Sequence, residues 1–507
     1  MGPIAQSVEQ RTFNPWVDGS SPSGPTFTSI LSISTLLGVD LNFVTLSFLV
    51  FTLATLFIYW IANDRFRTPI LLITSYIFYS FWDWRFTSLL MLLTISNFWL
   101  TRKMNDSNSV EKKKHYLVSC LSINIVVLMV FKYFGFFTVG LSRLLDLIGF
   151  NTDPLTISIL LPLGLSFFIF QTSSYVIDVY RGNLKPEDSF VNFATFVVYF
   201  PHMAAGPIMP ARILIPQIAQ CKVKPNFDQV QSGLFLVAVG LFRKIVIADT
   251  LAPMVNRVLD NPDIFDWKSL LIASLGFGLQ IYGDFAGYSA IARGISRLFG
   301  IEMMVNFRQP YLATSITDFW RRWHISLSTW FRDYLYIPLG GNQRSKVRTN
   351  LNLLTVMLIA GLWHGAAFGF IVWGLLHGVF LMVDKFVTGL QTISRLSALI
   401  TIPLGWLLTQ SAVFFTWVFF RNPDVSDALH ILSLISTRAG GTFEIGDALL
   451  LASALVISFA LDLSEKYLAP LFHGRSQIIV GFILGWLLIV ALVLKSSVVV
   501  PFIYFRF

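Results

Sequence analysis

Apolar positions in this chain come in long unbroken runs, not at the intervals of an amphipathic helix or an alternating strand. Phe43–Ala62, Tyr116–Val139, Gln229–Leu251 and Ser269–Ala292 are four of them, and each stops at a charged or turn-forming cluster such as NDRFRT after Ala62. A helix of roughly 20 mostly apolar residues crosses a bilayer, so the pattern predicts spans. Two tight runs, Pro69–Trp82 and Phe86–Leu100, are joined by the aromatic turn WDWR; later ones cover Leu351–Leu362, Ala366–Phe386, Ile400–Phe420, Ala448–Leu463 and Ile478–Leu494. The expectation is an all-α polytopic membrane protein with about 11–13 transmembrane and re-entrant elements, several too short to cross alone.

Polar positions inside the runs are the informative exceptions, because they are costly in lipid and must face protein or a watery cavity. Gln171, Ser173, Ser174, Tyr175 and Asp178 lie in the second half of Leu160–Gly182. Arg243, Lys244 and Asp249 interrupt one run; Gln280, Tyr282, Asp284 and Tyr288 interrupt the next. In Val197–Ile218, Pro201, Pro207, Pro210 and Pro216 with Gly206 rule out one straight span. Broken backbone at membrane depth belongs against protein or a cavity, so a re-entrant element carrying His202 is expected there.

Composition agrees. The chain is 55% hydrophobic and 13% charged, with mean hydropathy +0.67, against about 25% charged in soluble domains. The net charge of +9 sits in short loops, among them Arg102, Lys103 and Lys112–Lys114. This reads as cytoplasmic loops obeying the positive-inside rule rather than as a nucleic-acid surface. Cys120 and Cys221 suggest neither a disulfide framework nor a metal cluster. Residues 1–38 are polar and turn-rich and lack the features of a signal peptide. They are expected to be a disordered or artefactual extension, followed by a single membrane domain over 39–507.

Candidate chemistry concentrates between Thr317 and His377. TDFWRRWHISLSTWFRDYLYIPLGGN, laid on one 3.6-residue helix, gives an aromatic face of Phe319, Trp320, Trp323, Leu327, Trp330, Phe331 and Tyr334, with His324 at its edge. The helix suits a membrane interface, either as a plain anchor or as part of a site. PLGGN is a turn whose backbone amides, with Arg344, Lys346 and Arg348 beyond, have the make-up of an anion site or of an ordinary basic loop. His364 follows an apolar run and stands between Trp363 and Gly365. A membrane-depth imidazole either bonds a neighbouring carbonyl across helices or moves protons as a general base. His377 has the weaker setting of the two. No HxxxH or carboxylate–histidine cluster supports a metal, and no serine elbow, Walker loop or dinucleotide fingerprint stands in a credible context.

At LPLGLSFFIFQTSSYVIDVYRG, YFPHMAAGPI, GLFRKIVIADTLAP, QIYGDFAGYS, NFRQPYLATSITDFWRRWHISLSTWFRDYLYIPLGGN, GLWHG and the terminal PFIYFRF, the chain resembles the membrane-bound O-acyltransferase family. It is most similar to the bacterial alginate O-acetylase type and more distantly to the D-alanyl transferases of teichoic acids. The resemblance covers about Val39 to Phe507, with small departures at Gly283, Ala286 and Arg506. It implies a ring of helices around a thinned centre and a central tunnel, and places the family's essential histidine at His364 and its second signature histidine at His324. It further implies acyl transfer from a cytoplasmic thioester, acetyl-CoA or an acyl-carrier thioester, with no bound cofactor, for O-acetylation of a cell-surface polysaccharide such as alginate. The setting is the bacterial inner membrane, and the partner an extracytoplasmic acetyltransferase-type protein carrying an acceptor serine. Asp318, Trp320, Arg321, Arg322, Trp363 and Asp284 are then candidates for supporting or binding the donor. Two other classes fit parts of the pattern. Intramembrane Asp178, Asp249 and Asp284 with broken helices suit a proton-coupled carrier or flippase, and the whole suits a non-catalytic scaffold for a periplasmic acetyltransferase.

Overall fold

The computed structural model describes residues 41–150, 159–203, 206–220, 224–389 and 397–467, with residues 485, 502 and 503. The extension 1–38, Cys221, the run Ile478–Leu494 apart from Gly485, and most of PFIYFRF lie outside them. Among the described residues the protein is helical, and its helices are α1 Leu46–Ile61, α2 Asp64–Asp106, α3 Val110–Leu147, α4 Leu165–Tyr180, α5 Phe190–Val198, α6 Ala211–Ala219, α7 Phe227–Phe242, α8 Asp249–Leu259, α9 Trp267–Leu298, α10 Ile316–Arg322, α11 Ile325–Phe331, α12 Lys346–His364, α13 Phe368–Thr388, α14 Ala398–Arg421, α15 Val425–Ser436 and α16 Ile445–Tyr467. By length and composition, α3, α9, α13, α14 and α16 are able to cross a membrane. The other elements are shorter, or carry charges that lipid would not accept.

One expectation about element boundaries holds and another changes. Pro69–Trp82 and Phe86–Leu100 are two helical segments, as expected: α2 covers both and is broken within WDWR, where Asp83 leaves helical geometry (φ −160, ψ 110). The buried Asp83 carboxylate is held there by Arg85 at 2.9 and 2.5 Å, so a local ion pair keeps the chain running through the kink. Gln229–Leu251, by contrast, is not one regular helix. A π turn over Arg243–Ala248 joins α7 to α8 where the charges begin. As expected, Val197–Ile218 is broken, into α5, a short turn at Phe200–Met203, and α6.

α9 is the central post. Most of its apolar stretch is inside the protein, whereas α3, α13, α14 and α16 leave much of theirs outside. It packs on α7 at backbone distance. A Cβ placed on Gly240 would meet the Gly287 carbonyl oxygen at 2.6 Å, and one on Gly287 would meet Gly240 O at 2.8 Å. Small residues bring helices together in this way where lipid gives no hydrophobic drive to associate. The contact sets the π turn against α9. Lys244 Nζ there reaches Asp249 at 2.6 Å and Asp284 at 2.9 Å, and Arg243 reaches Asp462 at 2.6 Å and Glu465 at 2.8 Å on α16. The interrupting charges thus neutralise one another inside the protein, and Asp284 also accepts from the Ile503 amide at 2.7 Å. Two of the other polar insertions find partners too: Asp178 accepts from Tyr334 Oη at 2.7 Å, and Gln171 bridges His202 Nε2 (2.9 Å) and Phe196 O (2.7 Å).

Candidate active site

The single interfacial helix expected over Thr317–Tyr334 is broken at its histidine. α10 opens on Ser315, whose Oγ accepts from the Asp318 amide at 3.1 Å, and it stops at Trp323, whose backbone is extended. His324 then takes up left-handed geometry (φ 42, ψ 56). Tertiary contacts override the helical pattern here. The Ile325 amide donates to Asn306 O at 2.9 Å and the Arg308 amide to Arg322 O at 2.9 Å, lacing the loop before α10 into the break. Ser326 Oγ donates to Asn306 Oδ1 at 2.9 Å and accepts from the Ile208 amide at 3.0 Å. The Trp323 ring is buried between Phe307 and Trp417, each 5.0 Å away, a position that an unbroken helix would deny it.

His324 is fully buried. It caps α11: its Nδ1 accepts from the Leu327 amide at 3.4 Å, which places the proton of the neutral ring on Nε2. Nε2 has no hydrogen-bond partner among the described residues. Around it stand the rings of Phe285 (4.7 Å), Trp363 (6.0 Å) and Phe167 (6.3 Å). Buried polar atoms are usually paired; this N–H belongs to a group of ring nitrogens here, with those of Trp363, Trp373 and Trp417, that have no hydrogen-bond partner among the described residues.

His364 is the last residue of α12. Gly365 turns extended, and three residues later, at Phe368, α13 begins and runs back along α12. The two helices touch through glycines: a Cβ on Gly361 would strike the Phe370 carbonyl, and one on Gly374 would strike that of Met357. The buried His364 ring lies 4.9 Å from Trp363, 5.0 Å from Trp373 and 5.0 Å from Phe420. Trp363 therefore stands between the two histidines, and its Nε1 has no hydrogen-bond partner among the described residues. On the far side, Trp373 is 4.8 Å from His377, whose Nε2 is 3.0 Å from Thr416 Oγ1. That hydroxyl donates to Val413 O at 2.7 Å, leaving it to accept from His377, as suits a structural histidine. Five rings thus run in sequence: His324, Trp363, His364, Trp373, His377.

The other candidates divide. Asp318, Arg321 and Arg322 line a cleft of about 560 Å³ together with Arg293, Arg297 and Arg308. Asp318 binds Arg322 at 2.9 Å and Glu302 binds Arg297 at 2.6 Å, while Arg308 and Arg321 have no carboxylate partner among the described residues. Phe307 forms part of the cleft wall and its ring is 6.4 Å from His324. One aromatic ring therefore separates a basic cleft from the buried imidazole. Trp320 faces elsewhere, 5.1 Å from His377 and 5.7 Å from Trp373. Asp284 is taken up by Lys244 and Ile503, although its neighbour Phe285 packs on His324. The PLGGN turn has Gly340 and Gly341 at positive φ and is tied to α12 by Asn352 Nδ2, 3.1 Å from Gly341 O. No group of three metal-ligating side chains occurs among the described residues.

One functional pair is inconspicuous in the sequence. Lys132 and Tyr133 of α3 donate to the last carbonyls of α12: Lys132 Nζ to Trp363 O at 2.5 Å and His364 O at 3.1 Å, and Tyr133 Oη to Leu362 O at 2.7 Å. The pair's signal is one lysine inside the apolar run Tyr116–Val139, as costly in lipid as the intramembrane aspartates.

The site is that of a helical membrane protein in which His324 and His364 are buried on either side of Trp363, with a basic cleft behind Phe307. The sequence model of the membrane-bound O-acyltransferase family matches residues 76–420. The chain is 38% identical over 394 residues to the probable alginate O-acetylase AlgI of Pseudomonas putida, covering 77% of each protein. It is 34% identical over 395 residues to the peptidoglycan O-acetyltransferase of Helicobacter pylori (73% of this chain, 74% of that one). To the teichoic acid D-alanyltransferase of Bacillus subtilis it is 29% identical over 234 residues, 44% of this chain and 59% of that one. The chain belongs to the membrane-bound O-acyltransferase family, and it is an acyltransferase rather than a carrier.

Proposed function

We propose that the protein moves an acetyl group from acetyl-CoA on the cytoplasmic side of a bacterial inner membrane to a hydroxyl acceptor, for O-acetylation of a cell-surface polysaccharide. The observation that carries this reading is the placement of two buried imidazoles on either side of Trp363, one ring away from an arginine-lined cleft. Two relatives whose names state O-acetylation, of alginate and of peptidoglycan, support the reaction type.

In this reading His364 is the general base. It takes the proton of the acceptor hydroxyl as the oxygen attacks the thioester carbonyl. The tetrahedral intermediate collapses, the carbon–sulfur bond breaks, and the leaving thiolate takes the proton back from the imidazolium. Proton transfer of this kind is worth about 10²–10⁴-fold. His324 Nε2–H, a buried donor with spare valence, is suited to the oxygen that becomes negative in the intermediate, where water exclusion strengthens it. Arg308 and Arg321 supply charge for the phosphates of the donor, since guanidinium pairs well with phosphate. The immediate acceptor is a serine of an extracytoplasmic acetyltransferase-type partner, which passes the group to the polymer.

The test is transfer of label from radiolabelled acetyl-CoA to polymer in membranes from cells carrying wild type, His364→Ala or His324→Ala. His364→Ala is expected to lose about 10²–10⁴-fold in rate at normal abundance, and His324→Ala about 10²-fold. Wild-type transfer by well-expressed His364→Ala would overturn the assignment.

A further inference from the structure

The carbonyl end of α12 lies where the reading above puts the chemistry, and a neighbouring helix holds it in an unusual way. An α-helix leaves its last four carbonyls without intrahelical partners. Water, which satisfies them in soluble proteins, is missing inside a membrane. α12 ends abruptly, since Gly365 is extended (φ −166, ψ 156). Three consecutive carbonyls at this end, those of Leu362, Trp363 and His364, receive donors from two consecutive residues of α3. These donors come from a π turn, Met129–Tyr133. α3 otherwise leaves most of its apolar stretch outside the protein, so an ammonium at this position needs a reason. It meets the negative end of the α12 dipole and stands 5.8 Å from the centre of the Trp363 ring.

We propose that Lys132 and Tyr133 form a clamp on the end of α12 and act as positioning residues for His364. The proposal rests on His364 being the general base. A neutral cap would satisfy the carbonyls equally well. This clamp does more, because it grips the backbone of Trp363, whose ring stands between the two imidazoles, and of His364, whose ring is one of them. With the backbone fixed from α3 and the rings fixed by Trp373 and Phe420, the imidazole has little freedom to turn. Release of the clamp lets the last turn of α12 unwind towards Gly365, and the ring loses its register with the acceptor oxygen. Charge and reach are both needed: Lys132 spans two carbonyls with one ammonium, and the Tyr133 hydroxyl takes the third.

The test uses the full-length protein in membranes, with abundance normalised by immunoblot and initial rates measured against radiolabelled acetyl-CoA concentration. Lys132→Met is expected to lower kcat about 10²-fold, the effect of misplacing a catalytic group by about an ångström, with KM for acetyl-CoA little changed. Lys132→Arg, which keeps the charge and the donors, is expected to recover most of that loss. Tyr133→Phe removes one hydroxyl and is expected to lower kcat several-fold at wild-type abundance; it serves if Lys132→Met fails to accumulate. A purely structural cap would lower abundance while leaving kcat per molecule unchanged, and that result overturns the proposal, as does wild-type kcat in Tyr133→Phe and Lys132→Met. His364→Ala runs alongside. If it transfers at the wild-type rate, the base assignment fails. If it is inactive beside an unimpaired Lys132→Met, the clamp alone fails.

Discussion

Two of the places where buried polar side chains gather among the described residues, around Lys244 and around His364, are built on opposite principles. In the first, every charge faces its opposite: one ammonium sits between two carboxylates, and one guanidinium between two more on α16. In the second, polar ring atoms sit among aromatic faces, and His324 Nε2 and Trp363 Nε1 keep unused hydrogen-bonding capacity among the described residues. α9 serves both, with Asp284 turned to Lys244 and the next residue, Phe285, packed on His324. A buried polar group that is fully paired holds helices together. One that keeps spare valence at high cost is where a substrate has something to meet.

The largest effect that would break this contrast is on the charged side. Lys244→Met leaves two buried carboxylates without their cation, and loss of one partner of a buried pair costs about 3–5 kcal/mol. A large fall in thermal stability in detergent is expected, with partial recovery when Asp249→Asn and Asp284→Asn are added. An unchanged melting temperature would mean that the cluster does not hold α9 and the π turn together. A middle-sized effect is expected at the cleft. Arg308→Ala and Arg321→Ala should each raise KM for acetyl-CoA about tenfold, the worth of one hydrogen bond to a charged group, and leave kcat and stability alone. Equal loss of kcat would place these arginines in the chemistry instead. The smallest effect sharpens the division among the histidines. His377→Gln keeps a hydrogen-bonding group for Thr416 and should change transfer by about twofold or less, with a stability change of about 1 kcal/mol.

What the sequence made legible follows from the range of the interactions involved. The helical membrane class was readable because apolar runs are local. His364 was noticeable as an imidazole between Trp363 and Gly365 in an apolar run, but that setting suited a structural histidine equally well, and only the resemblance singled it out. Asp178, Asp249 and Asp284 were recognisable as groups needing partners, but the partners were not: Tyr334 lies 156 residues from Asp178. The break at His324 was hidden for the same reason. Its left-handed backbone depends on the Asn306 carbonyl and on the cage around Trp323, while the local aromatic stripe argues for an unbroken helix. Lys132 was missed because a lone lysine in a membrane run resembles a topology signal until its two carbonyls are seen.

The π turns give chain length a meaning that residue identity does not have. One occurs beneath Lys132, one carries Arg243 and Lys244, and one follows α11 at Arg332–Tyr336. A π turn amounts to one extra residue inserted in an α-helix. Deleting one residue from Met129–Tyr133 would restore ordinary helix and swing everything beyond it by about 100°, carrying the downstream face of α3 away from α12 with every side chain chemically intact. Such a helix would still look, by hydropathy, like a sound membrane span. Insertions and deletions at these three sites should therefore be far less tolerated than substitutions around them, and a descendant that lost one would need a second length change close by to bring its helices back into phase.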